Sequence, residues 1–577
     1  MSSRRGLSWA PGLRVLLHYD RSWLRGDLVA GVTVAAYLVP QVMAYAEIIG
    51  LPAVVGLWAT LAPMAVYALL GGSRQLSFGP ESTTALMAAA AIAALAGPVD
   101  VTGRARTAAL VAIAVGVVCL VGWLARLGFV ANLLSRPVLV GYMAGIGLLM
   151  VVSQYGRLTR LTVTGGDPWA ETASLAEQLG SVHGPTLMLG LGVVVALFAL
   201  RRWLPGWPGP LLAMLAAAGI VAVGGLASDG IVVIGSVPHD LPTPVVPTLD
   251  GIDVPQLLLA ALGIAVVGYS DVILTGRAFS TRRGERIDAT GELLAMGAAN
   301  VANGFLAGFP VSSSASRTAI GDAAGSRTQL HSLVAAAMVV VSIFLFAPVL
   351  TAFPQAALAG VVVYAGLRLV DVKELRRLAR FRLSELVLAL VTLAAVLATG
   401  LLYGIAIAVG LSLLDLIRRI AHPHDGVLGY VPGVAGMHDV EDYPQAVQVP
   451  GLVVYRYDSP LFFANADDFL TRALAAVRAA DPPPRWFLLN AEANIEVDLT
   501  AVDTLERLRR TLAEDGIVFA MARVKWEIRE QLAAAGFLDA VGEDRVFATL
   551  PTAVRAFAEW HQREFGQRPP GIPEATA

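Results

Sequence analysis

From Leu28 to Ile417 the chain alternates apolar runs with short polar connections, and most runs approach the ~20 residues a helix needs to cross a bilayer. The pattern predicts membrane-spanning helices at 28–46, 51–71, 80–97, 106–124, 128–153, 185–200 and 209–226. A second set follows at 255–276, 288–306, 313–324, 329–350, 355–370, 383–400 and 401–418, giving fourteen spans in two sets of seven. After Arg419 the period changes. GLVVYRYDSPLFFAN reads as a pair of strands, and ADDFLTRALAAVRAA has helical periodicity. WFLLNAEA is a further strand, and LTAVDTLERLRRTLAEDG is a helix that stops at Gly516. IVFAMARV and VKWEIREQLAAAGF repeat the alternation, which predicts a small α/β domain with a largely parallel sheet. The fold class is therefore an all-α polytopic membrane domain followed by a small α/β domain. Its expected parts are an N-terminal segment (1–25), the membrane domain (26–420), a linker holding His422 and His424 (421–445), the α/β domain (446–562) and a disordered tail (563–577).

Composition agrees with this division. The chain is 56% hydrophobic and 15% charged, with mean hydropathy +0.66, where a soluble domain carries about 25% charged residues. A net charge of −2 leaves no basic surplus for nucleic acid. Cys119 stands alone and forms no intrachain disulfide. The first apolar stretch leads straight into another without a cleavage site, so it reads as a retained span. Positive charge orients the chain with both termini in the cytoplasm of a cell whose plasma membrane it crosses many times. Arg4, Arg5, Arg14, Arg21 and Arg25 precede the first span. Arg74, Arg126, Arg136, Arg201, Arg202, Arg277, Arg282, Arg283, Arg286 and the cluster from Arg368 to Arg382 fill the even-to-odd connections. The external segment 228–256 holds Asp229, Asp240, Asp250 and Asp253 but no Lys or Arg. Arg104, Arg106, Arg157 and Arg160 stand against the rule.

The chemistry concentrates where the third span of each set is interrupted. SRQLSFGPESTTALM places Gly79-Pro80 before Glu81, Ser82, Thr83 and Thr84. GFPVSSSASRTAI places Gly308 and Pro310 before Ser312, Ser313, Ser314, Ser316, Arg317 and Thr318. Each reads as an extended segment entering a half-helix, the pattern of an inverted repeat with broken helices near mid-membrane. Two facing helix N-termini offer unpaired N–H groups and a positive dipole end, which suit an anion. Arg317 cannot shed its charge, so within a membrane it needs an anionic partner. Asp271 in the eighth span, with Thr275 one turn later, is either that structural partner or a coupling-ion or proton site. Gln41 and Tyr45 share a face of the first span beside Pro40, to pack there or to bind a polar ligand.

On these residues the chain resembles the sulfate permease family, which includes mammalian anion exchangers. The matching stretches are GDLVAGVTVAAYLVPQVMAYAEIIGLP, GGSRQLSFGPESTTALM and GFPVSSSASRTAIGDAAGSRTQL. VPGLVVYRYDSPLFFANADDF and VDLTAVDTL resemble that family's STAS domain. The resemblance implies a 7+7 inverted repeat, a core of spans 1–4 and 8–11, a gate of spans 5–7 and 12–14, elevator-type transport, and a homodimer. It implies substrate contacts at Gln41, Tyr45, Glu81, Ser82, Ser314, Ala315, Ser316 and Arg317. Asp271 and Thr275 match the cation site of sodium-coupled bicarbonate members, although the SSSAS stretch departs from the other sodium ligands there. Glu81 replaces an apolar or aromatic residue of many relatives; an ionised Glu there competes with an incoming anion, so Glu81 or Asp271 is expected to take a proton as the anion binds. Asp498 and Thr500 match the turn that carries a phosphorylatable serine in anti-sigma-antagonist STAS proteins, and a cytoplasmic regulator would act through that domain. Sulfate is the favoured substrate. Bicarbonate or a dicarboxylate carried with sodium, and a passive anion channel, are the alternatives. With no nucleotide loop, HExxH pair or Cys/His cluster, neither an enzyme nor a cofactor is expected.

Overall fold

A backbone in hydrocarbon must satisfy its own N–H and C=O groups, and the apolar runs do so as helices. The computed structural model describes residues 9–96, 100–129, 135–161, 174, 178–204, 207–235, 240–280, 285 and 287–572. Arg4, Arg5, Arg282, Arg283, Arg286 and the tail residues 573–577 lie outside them. The chain divides into two units, Met1–Ser412 and Leu413–Ala577. In the first, the main helices are α1 Leu24–Ile49, α2 Ala53–Leu70, α3 Ser82–Ala96, α4 Val101–Leu124, α5 Arg136–Ser153, α6 Gly184–Trp203 and α7 Gly209–Val223. They continue as α8 Val254–Ser280, α9 Ala289–Phe305, α10 Ala315–Ala323, α11 Leu330–Leu345 and α12 Gln355–Leu369, and α13 Leu383–Ala421 runs across the division. Among the described residues eight helices are long and apolar enough to cross a bilayer, while α3, α7 and α11 are apolar but shorter.

Every expected stretch falls on a helix, with two adjustments. The fifth begins at Arg136 rather than 128, with Pro137 in its first turn, where a missing N–H costs nothing. The last two form one element broken at Gly400, whose φ of 78° and ψ of −179° leave the helical region. Helices α1–α4 pack mainly with α8–α11, and α12 packs on α5 and α6. Small residues permit the closest approach: a Cβ on Gly116 of α4 would stand 2.7 Å from the Gly297 carbonyl of α9. Two of the four arginines that break the charge rule are engaged by protein. Arg157 ion-pairs with Glu47 at 3.3 Å, and Arg106 Nη2 donates to the Asp250 carbonyl at 3.2 Å.

The first unit holds two two-residue strands, β1 Phe78–Gly79 and β2 Ser312–Ser313. In the second unit a six-stranded sheet combines β3 Asp425–Tyr430, β4 Met437–Asp439, β5 Leu452–Tyr457, β6 Trp486–Asn490, β7 Val518–Ala522 and β8 Val546–Phe547. The order is β4-β3-β5-β6-β7-β8; β5 to β8 are parallel, and β3 is antiparallel to both neighbours. Alternate side chains face two cores: Val453, Tyr455, Phe487 and Leu489 pack with Leu505 and Leu508, whereas Leu452, Val454, Trp486 and Leu488 pack with Val554 and Phe557.

Three expectations are corrected here. Residues 425–430 and 437–439, read as linker, are strands of the sheet. LFFAN is not a strand: Pro460 has no N–H, and Asn465 closes a turn by accepting from Phe462 N and donating to the Pro460 carbonyl. The expected tail is ordered through residue 572. The last helix runs on to Phe565, Gly566 closes it at φ 75°, and Ile572 packs into the second core.

Candidate functional site

The two interrupted segments meet. Phe78–Gly79 (β1) and Ser312–Ser313 (β2) pair antiparallel, Phe78 opposite Ser313 and Gly79 opposite Ser312. Half-helix α3 starts three residues beyond Gly79, and α10 starts two residues beyond Ser313. The crossing is extended by Ser314 N donating to the Ser77 carbonyl at 2.9 Å. It is knotted by Thr318, whose Oγ1 accepts from Ser77 N (3.0 Å) and donates to the Ser314 carbonyl (2.7 Å). Such backbone is tolerated at membrane depth only where protein satisfies it.

Buried carboxamides supply that satisfaction. Asn300 Oδ1 accepts from Val311 N at 2.9 Å while Nδ2 donates to the Val311 carbonyl at 3.0 Å, so one side chain acts as a neighbouring strand. Asn303 Nδ2 donates to the Phe309 carbonyl. Gln329 Nε2 donates to the Ser73 and Leu76 carbonyls at 2.8 and 2.9 Å, holding the approach to β1. Glu292 anchors the end of α2, accepting from Tyr67 Oη and Gly72 N, each at 2.9 Å. Asp27 accepts from Tyr19 Oη, Arg327 N, Thr328 N and Thr328 Oγ1. Sequence reasoning missed all five. Their signal was visible as polar residues in or beside apolar spans, but the partners of Gln329 and Glu292, and the Arg327 and Thr328 partners of Asp27, lie more than 200 residues away along the chain.

Arg317 sits at the centre with no exposed surface. Its Nε donates to Ser77 Oγ at 3.3 Å, but Nη1 and Nη2 have no hydrogen-bond partner among the described residues. Nη2 lies 3.7 Å from where a Cβ on Gly79 would stand, which places the start of α3 against the guanidinium. Ser314 caps α10, accepting from Arg317 N at a long 3.5 Å, and its Oγ is 3.3 Å from Ser316 Oγ; Ala315 is the first helical residue. On α1, Gln41 and Tyr45 are buried, and Gln41 Oε1 has no hydrogen-bond partner among the described residues. Tyr45 lies beside Ser82, and Tyr37, two turns earlier, lies beside Ser316. Tyr37 was not singled out in the sequence, although its spacing from Gln41 is the same i, i+4.

Neither nearby carboxylate makes an ion pair with the guanidinium among the described residues, although both act on it through space. Glu81 caps its own half-helix, accepting from Ser82 Oγ at 2.5 Å and Thr83 N at 2.7 Å. Asp271 Oδ2 accepts from Ser313 Oγ at 2.9 Å and makes no ion pair with Arg317 among the described residues, so the structural-partner reading of Asp271 is set aside. Thr275, one turn further, is buried. Between Glu81 and Asp271 lies a cavity of about 40 Å³, lined also by Thr83, Thr84, Met143 and Ser312. It has room for about one water. The distant pair Asp498 and Thr500 has a separate setting. Asp498 caps its helix by accepting from Ala501 N and also accepts from Phe463 N, both at 2.8 Å, while Thr500 is exposed in the first turn.

Comparison with known proteins decides the family. A profile of the sulfate permease family matches residues 24–392, and a STAS domain profile matches residues 443–553. The chain belongs to the sulfate permease family. It is 56% identical to a protein named as a probable sulfate transporter of Mycobacterium tuberculosis, over 95% of this chain and 98% of that one. It is 32% identical to human solute carrier family 26 member 6, over 80% of this chain and 63% of that one. Its fold resembles that of the murine solute carrier 26 member A9 anion transporter in the inward-facing state (TM-score 0.86, 21% identity, 96% and 94% coverage). The membrane domain of a cyanobacterial bicarbonate transporter is also similar (TM-score 0.60, 22% identity, 68% and 99% coverage). This sulfate permease family member is thus a multi-span membrane protein with a helical transport domain and a C-terminal STAS domain, and its relatives are named as transporters rather than enzymes.

Proposed function

We propose that the chain is a secondary active transporter of sulfate, driven by protons and working by elevator-type alternating access on a fourteen-span, 7+7 inverted repeat. The observation that carries this reading is the buried Arg317 guanidinium, whose two terminal nitrogens have no hydrogen-bond partner among the described residues, beside two converging helix N-termini. Glu81 and Asp271 act on this cation through space, but neither receives a hydrogen bond from its terminal nitrogens, so two buried charged donors are left open. An oxyanion fills them, and a planar guanidinium can meet it with two parallel charge-assisted hydrogen bonds. The N–H groups of α3 and α10, with Ser82, Ser314, Ala315 and Ser316, complete the cradle, and Gln41 and Tyr45 close it. The name of the M. tuberculosis relative favours sulfate among small oxyanions.

Charge balance supports the coupling. With Glu81 and Asp271 ionised, two carboxylates face one guanidinium, and a divalent anion adds to an existing excess of negative charge. One proton shared at the Glu81–Asp271 cavity relieves it. The carrying unit is α1–α4 with α8–α11, moving against α5–α7, α12 and α13; both termini are cytoplasmic and the chain works as a homodimer. Sodium is the second reading, favoured by the oxygen set of Asp271, Ser313 and Thr275 beside the small cavity. Reconstituted vesicles given radiolabelled sulfate distinguish them. Concentrative uptake driven by an inward proton gradient, competed by other oxyanions, is expected. Uptake that follows sodium alone replaces the proton reading, and flux that never concentrates sulfate replaces the transporter by a channel.

A further inference from the structure

Just after α13, a cluster in the second unit plays no part in the anion site. His424, Asp439 and Asp442 each present one ligand atom, and these atoms lie within 4.8 Å of one another. Asp439 ends β4 and is only 3% exposed. Its Oδ1 accepts from Glu441 N at 3.0 Å, whereas Oδ2 has no hydrogen-bond partner among the described residues. A Cβ on Gly426 would stand 1.8 Å from that Oδ2, so the carboxylate occupies a notch that only glycine leaves open. His424 Nε2 is 3.3 Å from the same oxygen, close but not aligned as a donor. Arg456 Nη2 approaches to 3.8 Å, yet Asp458 holds this guanidinium through Nε at 2.7 Å and Nη2 at 3.0 Å. With Arg456 offset by Asp458, Asp439 and Asp442 leave the cluster negative.

We propose that His424, Asp439 and Asp442 bind a divalent transition-metal ion of the Zn²⁺ class. One imidazole nitrogen with two carboxylate oxygens suits zinc, whereas Mg²⁺ and Ca²⁺ favour oxygen alone. Ligands about 2.1 Å from a tetrahedral zinc stand about 3.4 Å apart, which is the separation His424 and Asp439 already have. Asp442 closes in by a small movement, and water takes the fourth position. His424 and Asp442 are exposed, giving the ion a way in. Binding ties the residues before β3 to the end of β4, so the ion clamps that hairpin.

The full chain, purified in detergent without a polyhistidine tag and stripped with a chelator, is titrated with zinc chloride by calorimetry. One equivalent is expected to bind, with affinity at least about tenfold weaker in His424→Gln, Asp442→Asn and Asp439→Asn. His422→Gln, two residues away and outside the cluster, should match the parent. Should Asp439→Asn fail to fold, the two exposed positions decide. Absence of zinc binding in the parent, parental affinity in His424→Gln and Asp442→Asn, or equal loss in His422→Gln overturns the proposal.

Discussion

Asn300→Leu removes one carboxamide of nearly the same size and leaves both backbone groups of Val311 unpaired. In the structure Asn300 accepts from Val311 N at 2.9 Å and donates to its carbonyl at 3.0 Å, with no exposed surface. Two unsatisfied buried groups at ~1–3 kcal/mol each give about 2–6 kcal/mol. Hydrogen bonds inside membrane proteins average nearer ~0.6 kcal/mol, with a maximum of ~1.7, which lowers the expectation to about 1–3 kcal/mol for the pair. The larger effect is on transport. Val311 enters Ser312–Ser313, and a shift of ~1 Å there displaces the start of α10 and Arg317, enough for ~10²-fold in rate where geometry governs. Detergent thermal unfolding and sulfate uptake, normalised to inserted protein, measure the two. Asn300→Asp should do no better, because its second oxygen faces the Val311 carbonyl. Parental Tm and parental uptake in Asn300→Leu would refute the claim that carboxamides hold the crossing in place.

Asp271→Asn is expected to insert normally but to make sulfate uptake insensitive to an imposed pH gradient; an unchanged gradient response contradicts the coupling role. Glu47 and Arg157 join α1 to the short helix after α5, and each neutral variant should alter uptake while the charge-reversed pair restores it, with a coupling of about 0.5–3 kcal/mol in a double-mutant cycle. In the second unit, hydrogen bonds from Arg509 and Arg510 hold Glu506 at about 2, below its ordinary 4.5. A carboxylate depressed in the folded state stabilises fully above about 4.5 and loses that contribution as pH falls toward about 2. Glu506→Gln should therefore flatten the acid dependence of Tm in that window, more so at low salt; an identical acid profile in the variant contradicts it.

The bilayer made the membrane domain legible, because length and hydropathy alone locate a helix that must satisfy itself in lipid. The interruptions at Gly79-Pro80 and Gly308/Pro310 were equally plain, since few residue types permit such turns. What holds them was not. Asn300 is a polar residue in an apolar stretch, and Gln329 and Thr318 reach partners more than 200 residues away, which periodicity cannot reveal. In the second unit the alternation of Leu452–Tyr457 and Trp486–Asn490 announced strands. DGVLGY was hidden by its glycines, and LFFAN was mistaken for a strand because its apolar residues line a turn built by Asn465.

Sulfate binding to purified Arg317→Gln, measured by calorimetry beside the parent and with Tm recorded for both, tests the anion site most directly. Two charge-assisted hydrogen bonds at ~1.5–3 kcal/mol each amount to about 3–6 kcal/mol, a loss of at least ~10²-fold in affinity. Recording Tm for both proteins separates lost binding from lost fold, because Arg317 also bonds Ser77 and offsets Glu81 and Asp271. A folded Arg317→Gln protein that binds sulfate as tightly as the parent would show that the guanidinium does not hold the anion.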